Sequence, residues 1–104
     1  MIITLTANPS IDRTETLDAP LTRGGVHRVG SVTVQAAGKG VNVARVIHEA
    51  GVPVLALLPA MPGDPMLQAL DQVGLAYRTV AMNGRVRTNL TLTEPDGTTT
   101  KINE

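Results

Sequence analysis

The apolar pattern of this chain changes period at Gly38, and that change constrains the fold more than any other feature. Upstream, Val26, Val32, Val34 and Ala36 alternate with polar residues, the period of two that marks a half-exposed strand over 26–36. Downstream, from Val41, Val43, Val46, Ile47 and Ala50 fall on one face of a helix expected to start at the glycine turn, with Gly51 as its C′ residue. Between them stands Gly38-Lys39-Gly40. Two glycines allow positive φ and a close backbone approach, and the start of a helix offers unpaired N–H groups and the positive end of its dipole. Lys39 adds a full charge at the same point. Such a turn is either an anion site or an ordinary strand-to-helix turn with a solvated lysine, and the rest of the chain has to decide.

The flanking segments fill in an alternating order. Ile2 to Thr6 is a short β-branched strand stopped by Asn8-Pro9, and Ser10-Ile11-Asp12 places a carboxylate just beyond its carboxyl end. Open α/β sheets bind ligands at that end, so Asp12 is a candidate for substrate hydroxyls, an Asx turn or helix cap being its ordinary alternative. Pro53 to Leu58 is a continuous apolar run, the pattern of a strand covered on both faces. Asp64 caps and Pro65 opens a second helix carrying Met66, Leu67, Leu70 and Val73, ended by Gly74, and Leu75 to Met82 returns to a strand. Strand, helix, strand, helix, strand implies a parallel sheet. From Val86 to Thr93 the residues alternate strictly, Glu94-Pro95-Asp96-Gly97 is a β-turn, and Thr98 to Ile102 alternates back. That hairpin, paired with the 13–36 insertion, makes a small second sheet.

Nine basic and nine acidic residues cancel, so there is neither a basic footprint for nucleic acid nor a polybasic segment for anionic lipid. No apolar run approaches the roughly 20 residues of a membrane span and the N-terminus lacks a signal-peptide pattern, so a cytoplasmic protein with a small-molecule partner is expected. The absence of cysteine removes disulfides and thiol catalysis. Tyr77 is the one aromatic residue, which leaves little for stacking on a base or sugar face. Gly38-Lys39-Gly40 is no Walker A loop, since Lys39 precedes Gly40 rather than Ser or Thr, and no dinucleotide fingerprint, since Val43 stands where the third glycine belongs. Right-handed crossovers put both helices on one face of the sheet, leaving the other bare. A longer α/β protein, of which this is the N-terminal third, or a partner chain is expected to cover it.

Arg85, Arg87 and Asn89 are spaced by two and share one face of the first hairpin strand, where Arg87 could meet a phosphate. Asn42 in the first helical turn either faces solvent or aims its amide at the same ligand, while Arg45 and His48 read as surface residues.

Taken together, Asn8-Pro9-Ser10-Ile11-Asp12, Ala37-Gly38-Lys39-Gly40-Val41-Asn42-Val43-Ala44, Arg87-Thr88-Asn89, and Asp96-Gly97-Thr98 leading to Thr100-Lys101-Ile102-Asn103 resemble the amino-terminal third of the PfkB sugar kinases. The resemblance implies a ribokinase-like α/β fold, with a parallel βαβ core over 1–10 and 36–84 and a small β-sheet lid from about 11–35 and 85–104. It also implies transfer of the ATP γ-phosphate, with Mg2+, to a sugar phosphate. Members acting on fructose 1-phosphate to give fructose 1,6-bisphosphate match best, ahead of those acting on tagatose 6-phosphate or fructose 6-phosphate. On that pattern Asp12 binds sugar hydroxyls, Gly38, Lys39, Gly40 and Asn42 hold the sugar phosphate, and Arg87 with Asn89 reaches in from the lid. The family's catalytic base and most of its ATP site lie in a downstream Gly-Ala-Gly-Asp region, so this segment alone is expected to be inactive and to hold no metal. A homodimer paired through the lid is consistent with the resemblance, as is a non-catalytic sugar-phosphate binder.

Overall fold

The computed structural model describes residues 1–104. Seven strands and two helices follow in the order β1 (Ile2–Leu5), β2 (Ser10–Leu17), β3 (Val29–Ala37), α1 (Lys39–Glu49), β4 (Val54–Pro59), α2 (Pro65–Gln72), β5 (Tyr77–Val80), β6 (Arg87–Thr93) and β7 (Thr99–Asn103). Strands β1, β4 and β5 form a three-stranded parallel sheet in the order β1-β4-β5, and the others a four-stranded sheet in the order β3-β2-β6-β7. The chain divides into two compact units, Met1–Ile11 with Ala36–Arg87 and Asp12–Gln35 with Thr88–Glu104.

The parallel sheet of the first unit is built as its sequence order demands. Ile2 aligns with Val54 and Leu5 with Leu57, while Ala56 aligns with Tyr77 and Pro59 with Val80. Val41 and Ala44 of α1, Met66 and Leu70 of α2, and Val54, Ala56 and Leu58 of β4 belong to one buried cluster. Both helices therefore cover the same face of the sheet. Fully burying Met66 and Leu70 contributes about 1.5–3 kcal/mol each. On the other face Ile3 and Leu5 remain 62% and 66% exposed, and Leu55, Leu57 and Pro59 are half-buried. Burial therefore alternates along β4, and within these residues the second face is bare, as the right-handed crossovers imply.

Helix ends follow their local chemistry. Gly51 and Gly74 take positive φ of 78° and 72° just after the last residues of α1 and α2, the positions where a Cβ would be strained. Asp64 caps α2 and Pro65 stands at its start, as the sequence indicates.

In the second unit, β6 and β7 pair antiparallel with Leu90 opposite Ile102 and Thr91 opposite Lys101. Gly97, at φ 91°, completes the turn, and its N–H donates to the Glu94 carbonyl at 2.9 Å. The strand preceding the glycine turn starts later than the alternation suggests. His27 lies in the loop before β3, with Nε2 3.1 Å from the Thr22 nitrogen, and not on a strand.

Candidate functional site

The glycine turn works differently from the simple expectation. The helix begins within the turn, at Lys39, and Gly38 is its N-cap at φ 127° and ψ 155°. Gly38 is the one member of the pair with positive φ; Gly40 already lies within the first helical turn. Gly40 is needed for a steric reason. A Cβ there would sit 2.5 Å from both the Leu5 carbonyl oxygen and Thr6 Oγ1, and one on Gly38 would sit 2.6 Å from Thr6 Cγ2. The helix start is thus seated directly on the carboxyl end of β1, which two absent side chains make possible.

No side chain caps α1. The Asn42 N–H donates to the Gly38 carbonyl at 2.8 Å and closes the first turn, so the groups before it face outward without a capping oxygen. Lys39 is exposed beside them. Thr6 is 4% exposed, and its Oγ1 has no hydrogen-bond partner. A helix start with free donors, the dipole's positive end and a neighbouring ammonium is suited to an oxyanion.

Arg45 departs from the surface reading of the helix, while Asn42 is exposed. Arg45 is part-buried; Nη1 donates to the Ala36 carbonyl at 3.1 Å and Nη2 to Asn42 Oδ1 at 3.3 Å. One guanidinium therefore ties the end of β3 to the first turn of α1 and fixes the Asn42 amide with its oxygen turned toward Arg45. Nothing in periodicity reveals this, because Arg45 and Ala36 lie nine residues apart across the change from strand to helix.

In the second unit, Asp12 is not in a turn after β1 but is the third residue of β2, because pairing in the four-stranded sheet extends the chain from Ser10 onward. Asn89 on β6 donates from Nδ2 to Asp12 Oδ1 at 3.5 Å, the long limit for such a bond. That contact orients the amide and leaves Asn89 Oδ1 buried without a donor. A carboxylate and an amide oxygen side by side form an acceptor pair suited to hydroxyl donors.

Arg87 opens β6 and is half-buried in the first unit, where Nη2 donates to the Asn8 carbonyl at 3.3 Å. Arg85 precedes the strand, so the expected row of Arg85, Arg87 and Asn89 is reduced to the last two. The structure therefore groups Gly38, Lys39, Gly40 and Asn42 at one helix start, pairs Asp12 with Asn89, and anchors Arg87 to the segment carrying Asn8. No three His, Asp or Glu side chains converge on a point where a metal ion could be held. No helix is long and apolar enough to cross a membrane.

The family model for pfkB family carbohydrate kinases matches residues 4–104. The chain belongs to that family. It is 36% identical over 104 residues to 1-phosphofructokinase of Escherichia coli strain K12, covering 98% of this chain and 33% of that protein. The structure of phosphofructokinase-2 from Escherichia coli in complex with fructose-6-phosphate superposes with a TM-score of 0.86 at 26% identity, covering 99% of this chain and 35% of that one. The tetrameric inhibited form of the same phosphofructokinase-2 gives 0.84 at 26% identity over 99% of this chain and 34% of that one. The chain thus spans about a third of the length of the relatives it matches. This PfkB chain has the mixed α/β architecture of its neighbours, a parallel sheet accompanied by a second sheet.

Two structural residues of this PfkB chain were not legible in advance. Thr6 reads as the last residue of a strand, yet its buried hydroxyl and methyl form the floor on which both glycines sit. Asp64 reads as a helix cap, yet its second oxygen is used as well, on Val86, 22 residues away.

Proposed function

We propose that this chain supplies the sugar-phosphate site of an ATP-dependent kinase that converts fructose 1-phosphate to fructose 1,6-bisphosphate. The observation that carries the reading is the start of α1: a helix seated on β1, left without a side-chain cap, with Lys39 exposed at its first position. A phosphate there replaces the missing cap, gains the helix dipole and takes a charge-assisted bond from Lys39, worth about 1.5–3 kcal/mol. Gly38, Gly40 and Asn42 form the seat, Arg87 adds a second cation, and Asp12 with Asn89 accepts hydrogen bonds from the sugar hydroxyls.

Phosphoryl transfer depends chiefly on positioning and charge stabilisation, and binding the acceptor is the part assigned to these residues. The acceptor oxygen bonds to the γ-phosphorus, ADP leaves, and the hydroxyl proton passes to a base. Base, ATP and Mg2+ are assigned to the two thirds of the relatives' length that this chain does not span, so the 104-residue segment alone is inactive. The protein works in the cytoplasm.

The test is an ATP-coupled assay of the full-length protein on fructose 1-phosphate, fructose 6-phosphate and tagatose 6-phosphate. Turnover of fructose 1-phosphate with the highest kcat/KM is expected; turnover of none of the three defeats the reading. Lys39→Met is expected to raise KM for the sugar phosphate about 10- to 100-fold, the equivalent of one charge-assisted bond. An unchanged KM removes Lys39 from the site.

A fructose 6-phosphate kinase is the second reading, favoured by the ligand in the phosphofructokinase-2 neighbour. The tetrameric form of that neighbour, and the edge position of β7 in its sheet, support self-association through the second sheet. A monomeric mass by light scattering overturns that assembly.

A further inference from the structure

We propose that Asp64 is a positioning residue for Arg87, an inference that rests on the reading of Arg87 as a phosphate contact. Asp64 is 4% exposed, and its two carboxylate oxygens do different things. Oδ1 accepts from the Met66 N–H at 2.8 Å and caps α2; Oδ2 accepts from the Val86 N–H at 2.9 Å. A cap requires only one acceptor, which Ser or Asn provides equally well. The second oxygen is what only a carboxylate supplies here, and it is spent on the residue directly before Arg87.

That spot needs a tether. Six residues, 81–86, join β5 to β6, and Gly84 among them has a φ of 104°. Gly84 N–H meets Met61 Sδ at 3.2 Å, and a thioether is a weak acceptor. The charged bond from Asp64 and the burial of the Val86 side chain in the core therefore fix the point from which the Arg87 side chain departs. At the other end of the side chain, Nη2 donates to the Asn8 carbonyl at 3.3 Å. Asp64 thus sets the root of the arginine.

The experiment uses the full-length protein with fructose 1-phosphate and ATP, and compares D64N, R87M and D64N/R87M. Asn keeps one oxygen for the Met66 N–H but turns an NH2 toward the Val86 N–H, so α2 stays capped and the tether is lost. D64N is expected to raise KM for fructose 1-phosphate about tenfold, with KM for ATP and kcat within about twofold of the parent. R87M is expected to do at least the same, and the double variant no more than R87M alone. Non-additivity of this kind marks two residues acting through one contact, which a general loss of stability does not produce. Should D64N fail to fold, D64S, whose hydroxyl caps but does not span to Val86, takes its place in the cycle. If R87M raises KM while D64N leaves it unchanged, or if the two effects multiply, the positioning role is overturned and the site reading stands. If R87M itself leaves KM unchanged, Arg87 is not a ligand and both fall.

Discussion

Two helices of the first unit, α1 and α2, begin in opposite ways. At α2 a buried aspartate accepts from the first turn, proline occupies the first position, and the end is sealed. At α1 the cap is a glycine, no side chain reaches the first-turn N–H groups, and the neighbouring charge is a lysine, the wrong sign for a helix start. Under the proposed function, a chain that satisfies one helix start so fully and leaves the other open, with a charge that disfavours it, places stability at the first and binding capacity at the second. On that reading local rules fail at the site and hold where the fold is supported.

The contrast is broken most severely at the closed end. Asp64→Ala removes the cap and orphans the buried Val86 N–H, for an expected loss of about 2–4 kcal/mol in the full-length protein. Urea denaturation measures it. A loss under about 1 kcal/mol would mean that the two bonds are replaced by water and that α2 is not sealed in the sense argued.

At the open end the same removal of symmetry comes from adding one carbon. Gly40→Ala drives a Cβ to 2.5 Å from the Leu5 carbonyl oxygen, which is backbone and cannot swing aside. Overpacking of this sort costs about 1–3 kcal/mol. The helix start must lift off β1, so sugar-phosphate affinity falls together with stability. A variant as stable as the parent that keeps its KM shows that the close seat is not required.

Lys39→Met sharpens the comparison from the other side. The ammonium is exposed at a helix start, so its loss leaves stability within about 0.5 kcal/mol while KM rises as stated above. Lys39 would then act on binding alone, whereas Asp64 acts on denaturation as well. A Lys39→Met variant that loses stability in parallel with affinity would collapse that distinction.

How much of this was legible in the sequence depends on the separation of the residues involved. The βαβαβ order, the Asp64 cap, the C′ glycines and the 94–97 turn are written in neighbouring residues, and period and turn chemistry recover them. What was misread came from partners distant in sequence. Asp12 was read as lying just beyond the carboxyl end of β1, with an Asx turn as the alternative, and it is pairing with the distant β6, which carries Asn89, that puts it inside a strand. Gly40 was credited with backbone freedom when its role is to be small, a distinction visible only once Leu5 and Thr6 are seen beneath it. Among the candidate site residues, the cluster at 38–42 was readable as a unit, whereas the use of Arg45 on Ala36 and Asn42 was not.

The smallest effect is expected in the second unit, at the β6–β7 turn. The Asp96 carboxylate accepts from the Thr98 N–H at 2.9 Å, and that backbone bond holds its pKa below the ordinary value of 3.8. With the folded value depressed, the contribution to the turn is fully present above the unfolded pKa and is lost as pH falls through the folded one. The group is fully exposed, so the change is confined to the hairpin. In the full-length protein the Thr98 amide resonance should titrate with a midpoint below 3.8, and Asp96→Asn should abolish the titration. A midpoint at or above that value would show that the bond does not favour the charged form. The turn would then owe its shape to Gly97 and strand pairing alone, and neither of the two α-helix starts would be touched by the result.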